Sequence, residues 1–147
     1  MTYKIPVSVL VVIYTPALDV LLLERADSPG FWQSVTGSCD APDEPLAHTA
    51  RREVREETGL DSAAYRLTDW QQVNEFEIYE RWRFRYAPGT TRNQEHVFGL
   101  EVPEQAPVKL SPREHRGHLW LPWQEAAEKC FSWSNRQAIL ALPDRTA

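Results

Sequence analysis

Cysteine is scarce in this sequence: Cys39 and Cys130 are its two, far apart and without C-x2-C spacing. That excludes a disulfide framework and a thiolate metal site, and leaves two free thiols as the expectation. Long apolar runs are missing as well. The longest, residues 9–14, falls far short of the roughly 20 residues a membrane-spanning helix needs. The first residues lack the basic segment, apolar stretch and small-residue cleavage site of a secretory signal, so a cytoplasmic protein is expected. Positive charge is in deficit, with 16 Lys+Arg against 21 Asp+Glu and a formal net charge of −5. This argues against nucleic acid or an anionic membrane surface as a partner. Repeats, linkers and low-complexity tracts are absent, and nothing marks an obligatory protein partner.

What is present is the composition of a folded domain. With 42% hydrophobic and 25% charged residues in 147, one domain over residues 1–147 is expected. Six tryptophans add apolar rings whose N–H groups need partners. A β-branched run at residues 7–14 predicts a buried strand, residues 20–24 its hairpin neighbour, and residues 31–36 a third extended piece. The period then changes. Leu46, Ala47, Ala50 and Val54 recur at helical spacing over residues 44–58, and Gly59 is placed to cap the helix. Further extended segments are expected at 65–70, 73–79, 81–86, 95–102 and 119–121. Helices are expected from Pro122-Trp123 towards Cys130 and from a cap at Ser134 or Asn135 to Leu142. This order suggests an α/β sandwich with a mixed sheet.

On the first helix, Glu53 and Glu57 fall at the edge of the apolar stripe with Glu56 beside them. Like charges at this spacing repel by a few tenths of a kcal/mol per pair, so a cation should compensate. Glu–Arg pairs on a solvated face would serve, and so would Mg²⁺, a hard ion that takes carboxylate oxygens and bridges to substrate phosphates. The order of residues decides. Gly37, Glu44 and the run Arg52-Glu53-Val54-Arg55-Glu56-Glu57-Thr58-Gly59-Leu60 together resemble the Nudix box, G-x5-E-x7-R-E-U-x-E-E-x-G-U with U a bulky apolar residue. The chain departs from it once, with six residues rather than five between Gly37 and Glu44. Either Glu44 or Asp43 can therefore supply the acid before the helix.

The resemblance implies an α/β/α sandwich with a mixed β-sheet and a magnesium-dependent hydrolase, with Mn²⁺ as a substitute ion. It implies metal ligation by Glu53 and Glu57, Glu56 within the catalytic set, and Glu114 as a further ligand or the general base. Outside the box, several stretches resemble the dihydroneopterin triphosphate pyrophosphatases of folate biosynthesis. They are Tyr3-Lys4 with Pro6-Val7-Ser8, Phe31-Trp32-Gln33-Ser34-Val35-Thr36-Gly37-Ser38, Phe76-Glu77-Ile78, Arg85-Tyr86-Ala87-Pro88-Gly89 with Arg92-Asn93, Glu114-His115, and Trp133-Ser134-Asn135-Arg136-Gln137-Ala138-Ile139. That similarity implies hydrolysis of 7,8-dihydroneopterin triphosphate to the monophosphate and pyrophosphate, with Thr36, Glu77, Ile78 and His115 among the substrate contacts. A broader (d)NTP pyrophosphohydrolase is the alternative. A binding module that has lost catalysis is a further one, against which the three glutamates argue.

Candidate phosphate ligands follow from charge and position. Arg81, Arg83 and Arg85 alternate with aromatics, so a strand would put guanidinium groups on one face and rings on the other. Of these, Arg85, with Arg92, lies in the family-like stretches, and Lys4 and Arg25 end apolar strands. A flat pterin needs apolar walls and polar edges. Phe76, Tyr79, Trp133 and Trp32 are the candidate walls, and Ser134 and Asn135 the edge partners. Trp70, Trp120 and Trp123 are assigned to packing, and the spacing of His115 and His118 to no zinc site.

Overall fold

The β-branched run becomes β1, Val7–Tyr14, in a computed structural model that describes residues 2–146; the two ends of the expected 1–147 domain lie outside that span. Val9 to Ile13 are almost fully buried, as a strand covered on both faces must be. β1 is followed by β2 (Asp19–Arg25), β3 (Trp32–Gln33), β4 (Val35–Ser38), helix α1 (Leu46–Thr58), β5 (Arg66–Glu77), β6 (Arg92–Glu101) and β7 (His115–Pro122). Helices α2 (Trp123–Lys129), α3 (Trp133–Leu140) and α4 (Leu142–Arg145) close the chain.

The seven strands form a mixed sheet in the order β3-β2-β1-β6-β5, with β4 paired to β1 and β7 to β2. β1 and β6 run parallel, and the other pairings are antiparallel. β1 and β2 pair only next to their turn, at Tyr14 and Val20, and then diverge. The gap between them receives β3, which pairs β2, and β4, which pairs β1. This wedge carries Thr36 and Gly37 to the sheet surface beneath α1.

Side-chain alternation divides the core. Val9, Val11, Ile13, Phe98 and Leu100 face α1 through Ala50 and Val54, while Leu10, Val12, Leu22 and Val97 face α2 and α3 through Ala126, Ala138 and Ile139. The result is an α/β/α sandwich. α1 ends at Gly59, whose left-handed φ of 76° suits glycine and whose N–H donates to the Arg55 carbonyl.

Several elements differ from the sequence expectation. Residues 65–70 and 73–79 merge into β5, which continues through a bulge between Asp69 and Gln72, with Gln71 at φ 55°. β7 starts at His115, earlier than 119, because the register of β2 against it runs from Asp19 to Arg25. Ser132, rather than Ser134 or Asn135, caps α3 by accepting from the Asn135 N–H. Residues 80–85 form a 3₁₀ helix, not a strand. Among the described residues the segment meets extended backbone only at its end, in a bridge between Lys4 and Tyr86, and the Trp82 and Tyr86 amides bond three residues back, to Tyr79 and Arg83. The alternation of arginines and rings over two faces is lost with the strand. Both cysteines are free and buried, and burial pushes the Cys130 thiol up to about 12.

Gly99 on β6 admits the Trp70 ring, since a Cβ built there would meet that ring at 2.1 Å. Gly99→Ala is therefore expected to destabilise the chain by about 1–3 kcal/mol through overpacking. Urea unfolding followed by tryptophan fluorescence measures it.

Candidate active site

The apolar stripe of α1 is anchored in the core, and this forces its acidic edge inward against β4. Gly37 makes room: a Cβ there would lie 2.0 Å from the Glu53 Cδ. Glu57 is 2% exposed, and among the described residues neither of its carboxylate oxygens has a well-formed hydrogen bond, its polar neighbours being the Thr36 N–H and the Glu53 carboxyl. Burial, reinforced by the Glu53 and Glu114 carboxylates, pushes its pKa well above the usual carboxylate range. Glu53 is also buried and is raised, chiefly for that reason.

Arg52 holds the neighbouring acids in place. Its guanidinium donates to Glu53 Oε1 at 2.8 Å, to the Ser38 carbonyl at 3.0 Å and to both oxygens of Glu44 at 3.1 and 3.2 Å. Glu44 also accepts from the Asp40 N–H at 2.7 Å, which closes the loop carrying the extra residue. Its carboxyl is held far below the usual range, first by the Arg52 hydrogen bond. Asp43 is exposed and does not replace it. The insertion is absorbed in the loop while the helix keeps its acid. Glu56 stays on the exposed side, 3.5 Å from Arg52.

Beside Glu57 opens a cavity of about 280 Å³. Its lining includes Glu57, Lys4, Arg25, Thr36, Arg85, Glu114 and His115 together with Phe76, Glu77, Ile78, Tyr79, Trp133, Ser134 and Asn135. The bulge in β2 pairs Arg25 with His115, and the Ala26 N–H donates to the Glu114 carbonyl, which carries Glu114 to the rim. Asp27 grips Arg25 through two hydrogen bonds of 2.8 and 2.9 Å and also receives one from Arg85 at 3.2 Å. These bonds, led by Arg25, push Asp27 down to about 2. Lys4 is exposed as a whole residue, but its pKa is lowered first by the desolvation of its surroundings and then by Arg85, so the cations crowd one another. His115 Nε2 lies 3.7 Å from Glu57, but burial pushes its pKa down to about 4, so it is neutral at neutral pH and forms no ion pair.

Other expected site residues stand elsewhere. Arg92 pairs with Glu75 at 3.0 Å on the exposed side of the sheet, outside the cavity, because its place on β6 turns it away. Arg81 reaches Ser28 and lies over the Trp82 and Phe31 rings, and Arg83 donates to the Ile78 carbonyl. Trp32 packs against the α2–α3 core and under Lys129, so it is not a slot wall. The Asn135 amide is held in place, its oxygen accepting from the Ser34 N–H at 2.8 Å and its nitrogen donating to Ser132 at 2.7 Å. One N–H and one oxygen lone pair remain beyond these two bonds, and the residue lines the cavity. Phe76 and Trp133 do meet edge to face, with ring centroids 6.5 Å apart.

The sequence reading missed Asp27, Gln33, Trp82, Asn93 and Glu95, all of which line the cavity. Trp82 lies 4.3 Å from the Arg25 guanidinium, and Gln33 links Arg25 to Thr36. A signal existed for the last two. On β6 the face carrying Val97 becomes polar at Glu95 and Asn93, and on β1 the face carrying Leu10 becomes polar at Ser8.

The NUDIX domain family model matches residues 4–142. The chain belongs to the Nudix family. Two relatives from this family are named dihydroneopterin triphosphate diphosphatase. The protein from Escherichia coli is 49% identical over 140 residues, covering 93% of this chain and 91% of its own. The protein from Haemophilus influenzae is 43% identical over 142 residues, covering 95% and 88%. The structure of the E. coli dihydroneopterin triphosphate pyrophosphohydrolase superposes over the full length of both chains, with a TM-score of 0.90 and 45% identity.

Nudix enzymes generally need a divalent metal, and the donor set here suits one. Hard carboxylate oxygens, two of them orphaned and buried on Glu57, are left with mutual repulsion that a divalent cation would cancel. Among the described residues no three acidic, histidine or cysteine groups are already gathered about one point. No described helix is long and apolar enough to cross a membrane.

Glu57→Gln replaces a carboxyl group whose ionisation is disfavoured by burial and by the Glu53 and Glu114 carboxylates with a neutral amide. In chelator-containing buffer at neutral pH it is expected to raise stability by about 1–2 kcal/mol. Arg52→Ala removes the cation from Glu53 and leaves Glu44 with the Asp40 N–H and His48, and is expected to lower it by about 2–4 kcal/mol. Thermal unfolding of the two variants beside the parent measures both signs.

Proposed function

We propose that this Nudix pyrophosphohydrolase hydrolyses 7,8-dihydroneopterin triphosphate to dihydroneopterin monophosphate and pyrophosphate, with Mg²⁺ as its metal. The observation that carries the reading is the composition of one cavity. It brings a buried carboxylate, Glu57, and three cations, Lys4, Arg25 and Arg85, together with the Phe76–Trp133 edge-to-face pair and polar side chains. The names of the E. coli and H. influenzae relatives support the same substrate.

Glu53, Glu57 and Glu114 would hold the Mg²⁺. When bound, it supplies charge neutralisation at the phosphoryl oxygens. Lys4, Arg25 and Arg85 bind the remaining phosphate charge, and Asp27 keeps the two arginines oriented until they do. Guanidinium groups suit this because their planar forks match phosphate oxygens. Phe76 and Trp133 wall the pterin and fix the distance from ring to phosphates. Water then adds across the α–β anhydride: one P–O bond forms, the bridging P–O bond breaks and pyrophosphate leaves. The proton lost by water passes to a carboxylate of the Glu53, Glu56, Glu57 and Glu114 set, of which Glu114 alone comes from outside the helix. The low pKa of His115 makes it a neutral hydrogen-bonding group here rather than a cation.

Pyrophosphate release with Mg²⁺ is expected to give a kcat/KM for dihydroneopterin triphosphate at least about tenfold above that for any common (d)NTP. Glu57→Gln is expected to lose about 10²–10³ in kcat. Comparable constants for several dNTPs would favour a general nucleotide pyrophosphohydrolase, and undiminished turnover in the variant would remove Glu57 from the metal site.

A further inference from the structure

Glu95 is a buried carboxylate that the mechanism above does not use. It is 4% exposed, yet it lines the cavity beneath the corner formed by Phe76 and Trp133. Among the described residues no Lys, Arg or His comes within 4.0 Å of its carboxylate. Its partners are neutral, the Ser134 hydroxyl and the Asn74 amide, the latter at 3.5 Å. Two residues earlier on the same face, Asn93 donates to Ser8 at 2.7 Å and leaves its own Oδ1 buried without a partner. Register explains the grouping: Glu95 sits between Ser8 on β1 and Asn74 on β5, so three polar side chains share one patch at the end of an otherwise apolar sheet face.

A buried carboxylate without a cation is costly, and so is an orphaned amide oxygen. Both are acceptors, and a ligand edge carrying several N–H donors would satisfy both. We propose that Glu95 is the residue that selects the heterocycle, its carboxylate accepting two parallel hydrogen bonds from the exocyclic 2-amino group and the ring N3–H of a 2-amino-4-oxopyrimidine edge. The assignment deepens the pterin reading and rests on it for the identity of the substrate. The edge itself is common to pterins and guanine, so the selection extends to both. A carboxylate suits the task because hydrogen bonds to an ionised acceptor are short and strong, and because it repels a carbonyl at position 2. Asn135, whose amide is fixed by Ser34 and Ser132, is neutral and does not offer the two equivalent acceptor oxygens of a carboxylate.

The test compares ligands that differ at position 2 alone. Neopterin and its 2-oxo (lumazine) counterpart are titrated against the full chain by fluorescence, without phosphates and without turnover. The parent protein is expected to bind the pterin about 10- to 100-fold more tightly, and Glu95→Gln to reduce that preference to within about threefold. The same variant is expected to raise KM for dihydroneopterin triphosphate with kcat changed less, a split that a merely structural role would not produce. Equal affinity of the parent for the two ligands overturns the proposal, and that measurement needs no folded variant. A pterin preference that survives in Glu95→Gln also overturns it. Kinetics with dGTP and dITP, which differ only in the 2-amino group, form a second arm. If dihydroneopterin triphosphate is not turned over, the functional reading fails, and a dGTP preference lost in Glu95→Gln still supports the role of Glu95, whereas its absence in the parent rejects it.

Discussion

The close approach of α1 to β4 at Gly37 is the contact on which the site depends. Ala50 and Val54 must enter the core between the sheet and α1, and once they do, Glu53 and Glu57 on the adjoining edge are driven against the sheet. Burying carboxylates costs several kcal/mol each unless they are paired. Hydrophobic packing of the whole helix and the Arg52 bonds to Glu44, Glu53 and Ser38 outweigh that cost. What remains is a carboxylate, Glu57, with two unused oxygens inside a cavity. A larger residue at position 37 would push Glu53 away and end the arrangement.

Opposite charge is organised by a different device. Lys4, Arg25 and Arg85 come from three distant parts of the chain and repel one another, and Asp27 keeps the two arginines close. A net charge of −5 describes none of this, because the field felt by a ligand is set by nearby groups. A cavity that gathers Lys4, Arg25 and Arg85 can attract a phosphorylated small molecule even in an acidic protein.

Local physics made part of this legible in the sequence. The period of Leu46, Ala50 and Val54, the glycine at 59 and the β-branched run of β1 each specify their element through interactions within a few residues. The failures have the opposite character. Arg81, Arg83 and Arg85 alternate as a strand would, but among the described residues only Lys4 bridges to the end of this segment, and a 3₁₀ helix sends each guanidinium to a different partner. Arg92 lies in a family-like stretch and still faces Glu75 across the outer surface. Asn135 reaches the cavity, but the Ser34 amide claims its oxygen.

The sequence by itself determined the reactive helix, since helical period and residue order place the glutamates on one edge regardless of what packs nearby. It also determined which faces of the strands are apolar. Tertiary structure alone decided which polar groups share the cavity. The parallel pairing of β1 with β6, the bulged register of β2 on β7 and the docking of α3 bring Ser8, Glu95, His115 and Ser134 together from positions up to 126 residues apart. Alternation along a strand states which side a residue faces, but not which strand lies beside it. That neighbour is chosen by the packing of the entire sheet, and the place of Glu95 beneath the aromatic corner follows from it.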